Sequence, residues 1–136
     1  MKLSTIEAKG RRNELGAWVT GIPGAEDLEL CVRAFGNGDY ERRQAELFAA
    51  APAAEKPGGK LTPEANKRIS LDLLATAVLV DWRNLTDDAG TPIAFSPERA
   101  LALLSDDASL FRSFVAWAAG NVTERGRRDD EAAAKN

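Results

Sequence analysis

Thr62-Pro63-Glu64 is the string that most constrains how this chain folds. A threonine oxygen that accepts from backbone N–H groups, a proline already held at helical φ and an acid in the first turn together start a helix. The stretch behind it carries Ile69, Leu71, Leu73, Leu74, Ala77, Val78, Leu79, Val80 and Trp82, apolar around much of a helical circumference in its second half. The pattern predicts a helix over 62–83, about 30 Å long, as the central element around which the rest packs.

Phe95-Ser96-Pro97-Glu98 repeats the cap, proline and acid, and predicts a short helix through Leu104. Ser105-Asp106-Asp107 opens another, in which Leu110, Phe111, Phe114, Val115, Ala118 and Val122 recur at spacings of three and four as one apolar stripe. Before the central helix, Asp39 is the expected cap of a helix through about Ala50, with Tyr40, Gln44, Leu47 and Phe48 on its weakly apolar face.

The N-terminal part has a different period. Leu28, Leu30 and Val32 alternate with Glu29, Cys31 and Arg33, the pattern of a half-buried strand, and Ala17-Trp18-Val19-Thr20 precedes them across Gly21-Ile22-Pro23-Gly24. This reads as a β-hairpin over 15–35. A lone hairpin is marginal in water, so it must lean on helices or on another chain. Residues 1–14 show no sustained period and read as a flexible leader. Residues 51–60, with two prolines, two glycines and almost nothing bulky, read as a linker or mobile loop. Residues 123–136 read as a flexible tail. The expected fold is α+β and mostly α, one domain over 15–122, with an N-terminal hairpin and a helical part at 61–122.

Composition narrows the chemistry. The 136 residues contain no histidine and one cysteine, Cys31. That removes the imidazole of the usual hydrolase triads, most zinc sites and any internal disulfide. No enzyme activity and no cofactor are expected. No apolar run approaches the length of a membrane span. Arginine clusters at 11–12, 42–43 and 125–128 are offset by neighbouring acids, and the pI of about 5.1 gives no basic footprint for nucleic acid. Asp87, Asp88 and Gly90 miss the calcium-loop spacing, since Leu85 and Ala89 fall at ligand positions, so they read as a surface turn. What is left is a protein that works by contacts.

Several strings then resemble one family. They are the Trp18-Val19 hairpin with its strand at 30–33, Ala77-Val78-Leu79-Val80-Asp81-Trp82-Arg83-Asn84, the Gly90 turn, Pro92-Ile93-Ala94-Phe95-Ser96-Pro97-Glu98 running on to Leu104, and a closing helix with Phe111 and Phe114. Over residues 15–122 the chain resembles the tail assembly chaperones of long-tailed bacteriophages. The resemblance implies a protein of the host cytoplasm, absent from the finished virion, that binds the tape measure protein and keeps it soluble while tail tube protein is recruited. Self-association is compatible with that role, and neither nucleic acid nor membrane enters it. It also implies a longer form made by ribosomal frameshifting, and Ala134-Lys135-Asn136 is a string that a slippery codon run can encode. No catalytic residue is implied. Large side chains on element edges, Trp18, Phe35, Tyr40 and Trp117, are the candidate partner-binding residues. The alternatives are a minor tail or connector protein of the virion and, from a different class, a small DNA-binding regulator.

Overall fold

The structure, a computed structural model, describes the backbone of residues 1–135 and the side chains of residues 1–7 and 14–125. In chain order the elements are α1 (Leu3–Leu15), β1 (Ala17–Val19), β2 (Glu29–Val32), α2 (Gly38–Ala50), α3 (Pro63–Leu73), a π-helical turn (Leu74–Val78), β3 (Leu79–Arg83), α4 (Pro97–Ser105) and α5 (Phe111–Lys135). The fold is α+β, as the periodicities require. The three strands form one antiparallel sheet in the order β1-β2-β3.

The long central helix over 62–83 is not formed. Thr62 caps α3 as expected, its side chain accepting from the Ala65 N–H, with Pro63 in the first turn. The helix ends at Leu73, widens into one π-helical turn in which the Leu79 N–H donates to the Leu74 carbonyl, and leaves as a strand. Two physical reasons favour the strand. Val80 and Trp82 are β-branched and aromatic and suit a pleated surface. The hairpin also has a free edge, and β3 fills it, pairing Leu30 with Trp82 and Cys31 with Asp81 before a bulge sets Val32 opposite Leu79. The third strand turns a marginal hairpin into a sheet that can hold a core.

α5 packs on the inner face of that sheet. Val19, Leu30 and Val32 meet Val115, Ala118, Ala119 and Val122 in one buried cluster, joined by Val78, Leu79 and Trp82 and by Ala100 and Leu104 from α4. Trp82 is its aromatic centre. Its Nε1 donates to the Ile93 carbonyl at 2.7 Å, and Phe95 and Phe111 stand edge-on to it at 4.9 and 5.7 Å. Leu110, assigned by spacing to the buried stripe of α5, lies before the helix proper and is 66% exposed. The helix starts at Phe111, whose N–H donates to Ser109 Oγ, and not at residues 105–107.

Other local expectations shift by a residue or two for clear reasons. α2 is capped by Asn37, whose side chain accepts from the Tyr40 N–H; Asp39 sits in the first turn and pairs with Arg33 at 3.0 Å. The hairpin loop is long, spanning 20–28, and is held by the fully buried Ile22. Residues 51–60 form two short 3-10 turns, at Ala53–Glu55 and Pro57–Gly59. The Thr62 N–H donates to the Glu55 carbonyl, Glu55 pairs with Arg68, and Lys56 lies 5.1 Å over the Phe48 ring. Proline and glycine there serve tight turns. The backbone of 3–15 is helical although it lacks an apolar period, and the exposed Leu3, Ile6 and Leu15 show why none was needed: they bury no stripe. At the other end the helical backbone of α5 continues through Lys135, over a stretch rich in Arg, Glu and Ala. Asn136, the last residue of the Ala134-Lys135-Asn136 string, lies outside the described residues.

Candidate functional site

An apolar recess with an open mouth, a groove of about 430 Å³, lies between the 20–28 loop and the start of α5. Leu28, Leu85 and Leu103 line it from three separate segments, with Leu110, Phe111 and Phe114 along α5 and its approach. The loop wall is held by specific bonds. Asn84, at φ 64° where β3 ends, donates through Nδ2 to the Asp27 carbonyl at 3.1 Å and to Glu29 Oε2 at 3.2 Å. Gly24, at φ 84°, takes a backbone conformation that favours glycine and faces Phe114, where an added Cβ would rest in ordinary contact at 3.5 Å from the ring. The charged residues in the lining, Glu26 and Asp27, are both acidic and exposed.

By helical spacing Leu110, Phe114 and Trp117 form one stripe that runs out of this groove along α5. Trp117 is 41% exposed. An apolar floor with acids on one wall suits an amphipathic helix that brings two or three aliphatic anchors and a cation.

The other three candidates fall elsewhere. Phe35 and Tyr40 touch edge-on at 6.3 Å, where β2 passes into α2, and the Phe35 N–H donates to Thr123 Oγ1 at 2.9 Å. Tyr40 also lines a second, smaller groove of about 330 Å³ between α2 and α3, with Phe48, Leu61, Ile69 and Leu73. Trp18 lies on the outer face of the sheet, half-buried, with the Arg83 guanidinium 3.7 Å over its ring. That stacking occupies one face of the indole within the chain itself. The four residues are therefore spread over three surfaces. Leu28, Leu103 and Leu110 were missed because each reads in sequence as ordinary core, and Leu85 because it falls in the polar stretch 84–92.

Several titratable groups sit in structural pairs. Arg43 holds Asp72 with two bonds of 2.9 and 3.0 Å and keeps its carboxyl below the ordinary range. Asp107 is lowered by Lys67 and then Arg112, and Asp39 by Arg33 and then Arg42. Burial raises the Cys31 thiol, beside Asp81. Asp87 is spent on its own turn, accepting from the Ala89 and Thr91 N–H groups at 2.9 Å each. Among the described residues, no group of three or more His, Cys, Asp or Glu is placed to hold a metal ion, and no helix is long and apolar enough to cross a membrane.

No curated protein and no solved structure matches the chain. Residues 35–136, about three quarters of its length, match the YdaY prophage protein family. The match runs from Phe35 through α2, α3, β3, α4 and α5, and so includes Leu85, Leu103, Leu110, Phe111 and Phe114 of the groove, while the loop wall comes from the residues before it. On that match the chain is phage-derived and belongs to the YdaY prophage protein family.

Proposed function

We propose that this protein is a phage tail assembly chaperone that holds the tape measure protein soluble until tail tube subunits enclose it. The observation that carries the reading is the groove along α5, where Leu110 stands 66% exposed beside Phe114 and Leu103 with acids on the facing wall. Phage origin and the resemblance of residues 15–122 to tail assembly chaperones support it. A tape measure protein is a long helix whose apolar stripes face water until the tube closes. Each aliphatic anchor buried in such a groove contributes about 1.5–3 kcal/mol, while association itself costs roughly 4–15 kcal/mol. Two or three anchors therefore hold weakly, and many copies along one long helix hold it collectively and release it as tube subunits arrive. Trp117 extends the same contact, with Trp18, Phe35 and Tyr40 on separate surfaces free for tube protein or a neighbouring copy. The protein acts in the host cytoplasm, uses no cofactor and catalyses no reaction.

Co-expression with the tape measure protein of the same phage tests this. The wild-type chain should raise the soluble tape measure fraction and co-purify with it, and Leu110→Asp should abolish both while leaving the far-UV circular dichroism unchanged. Insoluble tape measure protein in the presence of the wild-type chain would refute the reading. So would mass spectrometry finding the chain in purified virions, the outcome expected of a minor tail or connector protein.

A further inference from the structure

The groove has a candidate occupant within the chain itself. Along α1 and its approach, Met1, Leu3 and Ile6 are 71%, 68% and 52% exposed, and the exposed Lys2 lies beside them. The root of this arm is fixed. Glu14 accepts from Arg33 Nη2 at 3.3 Å and from the Gly38 N–H at 3.2 Å, next to Phe35, which is bonded to Thr123 of α5. The groove opens at the start of that helix, around Leu110 and Phe114, whereas Thr123 is at its middle, about 14 Å from Phe114 along the axis. The residues that line the groove include none of α1, so donor arm and acceptor groove are different surfaces. Their chemistry is complementary: two aliphatic side chains and a lysine on one, an apolar floor with Glu26 and Asp27 on the other. The arm and the acidic wall also share a segment, since both lie before the family match begins at Phe35.

We infer that the α1 arm of one copy docks in the groove of a second, with Leu3 and Ile6 against Leu103, Leu110 and Phe114 and Lys2 facing Glu26 and Asp27. Because the two patches differ, the contact is heterologous, and copies add head to tail. Two aliphatic anchors and one exposed ion pair make it weak and concentration-dependent. The inference shares its groove with the tape measure reading but does not rest on it, because it concerns the chain alone.

Sedimentation velocity of the full chain across a wide concentration range is the test. The mean mass should climb past that of a dimer, and Ile6→Asp or Leu110→Asp should each weaken association by about tenfold or more. Both side chains are more than half exposed, so neither change threatens the fold. An equimolar mixture of the two variants should recover a contact, because Ile6→Asp keeps its groove and Leu110→Asp keeps its arm, and growth should stop at a heterodimer. The double swap Lys2→Glu with Glu26→Lys should restore part of what Lys2→Glu removes. A monomer at every concentration would overturn the inference and leave the groove to a foreign helix. A dimer indifferent to Ile6→Asp and Leu110→Asp would overturn it as well. Ile6→Asp should still co-purify with the tape measure protein, so the two readings fail separately.

Discussion

The Asn37 side-chain amide donates to the Ala77 carbonyl at 2.8 Å and to the Ala34 carbonyl at 2.9 Å, while its oxygen caps α2. One buried residue thus ties the end of the sheet segment, the start of α2 and the π-helical turn before β3. Asn37→Ala removes the cap and leaves two carbonyls without their donor, and should cost roughly 2–4 kcal/mol in urea unfolding. Asn37→Ser keeps a cap oxygen and should recover part of that loss.

Trp82 combines burial with a bond to the Ile93 carbonyl. Trp82→Phe retains most of the ring contact with Phe95 and Phe111 but strands that carbonyl, for an expected loss of about 1–3 kcal/mol. Trp82→Ala adds a cavity and should lose roughly 3–5 kcal/mol. Chemical denaturation followed by far-UV circular dichroism separates the two.

Gly16 joins α1 to β1 at φ 100°, and a Cβ there would stand 3.2 Å from Cys31 Sγ and 3.3 Å from both the Val32 carbonyl and Val80 Cγ2. Gly16→Ala meets a strained backbone and three close neighbours together. A loss of roughly 1–3 kcal/mol is expected, read as a lower melting temperature.

The Arg43–Asp72 pair sets part of the acid limit. Hydrogen bonding from Arg43 holds the Asp72 carboxyl below its unfolded value, against partial desolvation, with the charge of Arg43 and a bond from Thr76 helping. A depressed carboxyl stabilises the fold fully above the unfolded pKa, about 3.9, and loses that contribution as the pH falls through the lower folded value. Asp39 and Asp107 act in the same direction. Arg43→Ala should cost less than about 1 kcal/mol at neutral pH, since both side chains are partly exposed. Melting temperature measured down through pH 4 to 2 should fall less steeply in the variant than in the wild type.

Signals carried by adjacent residues were legible. Thr62-Pro63 and Ser96-Pro97 open α3 and α4 as read, because a cap and a first-turn proline act within one turn of chain. The alternation at 28–32 marks β2 for a similar reason, with Leu30 and Val32 buried inward. Residues 79–83 were not legible. An apolar run of that length suits a helix or a strand equally, and the choice rests on the edge of β2, nearly fifty residues earlier. Of the candidate contact residues, Trp117 could be placed from helical spacing alone, whereas the stacking of Arg83 on Trp18 depends on the register of β3.

Composition and local pattern by themselves determined an α+β chain without histidine and with helix starts at fixed places, since those depend on residue type and on neighbours a few positions away. The tertiary structure alone decided that the predicted central helix breaks into a third strand, and that Leu28, Leu85, Leu103, Leu110 and Phe114 face a common groove. Strand pairing and groove walls are made by segments far apart in the chain, and no local period records which of them will meet.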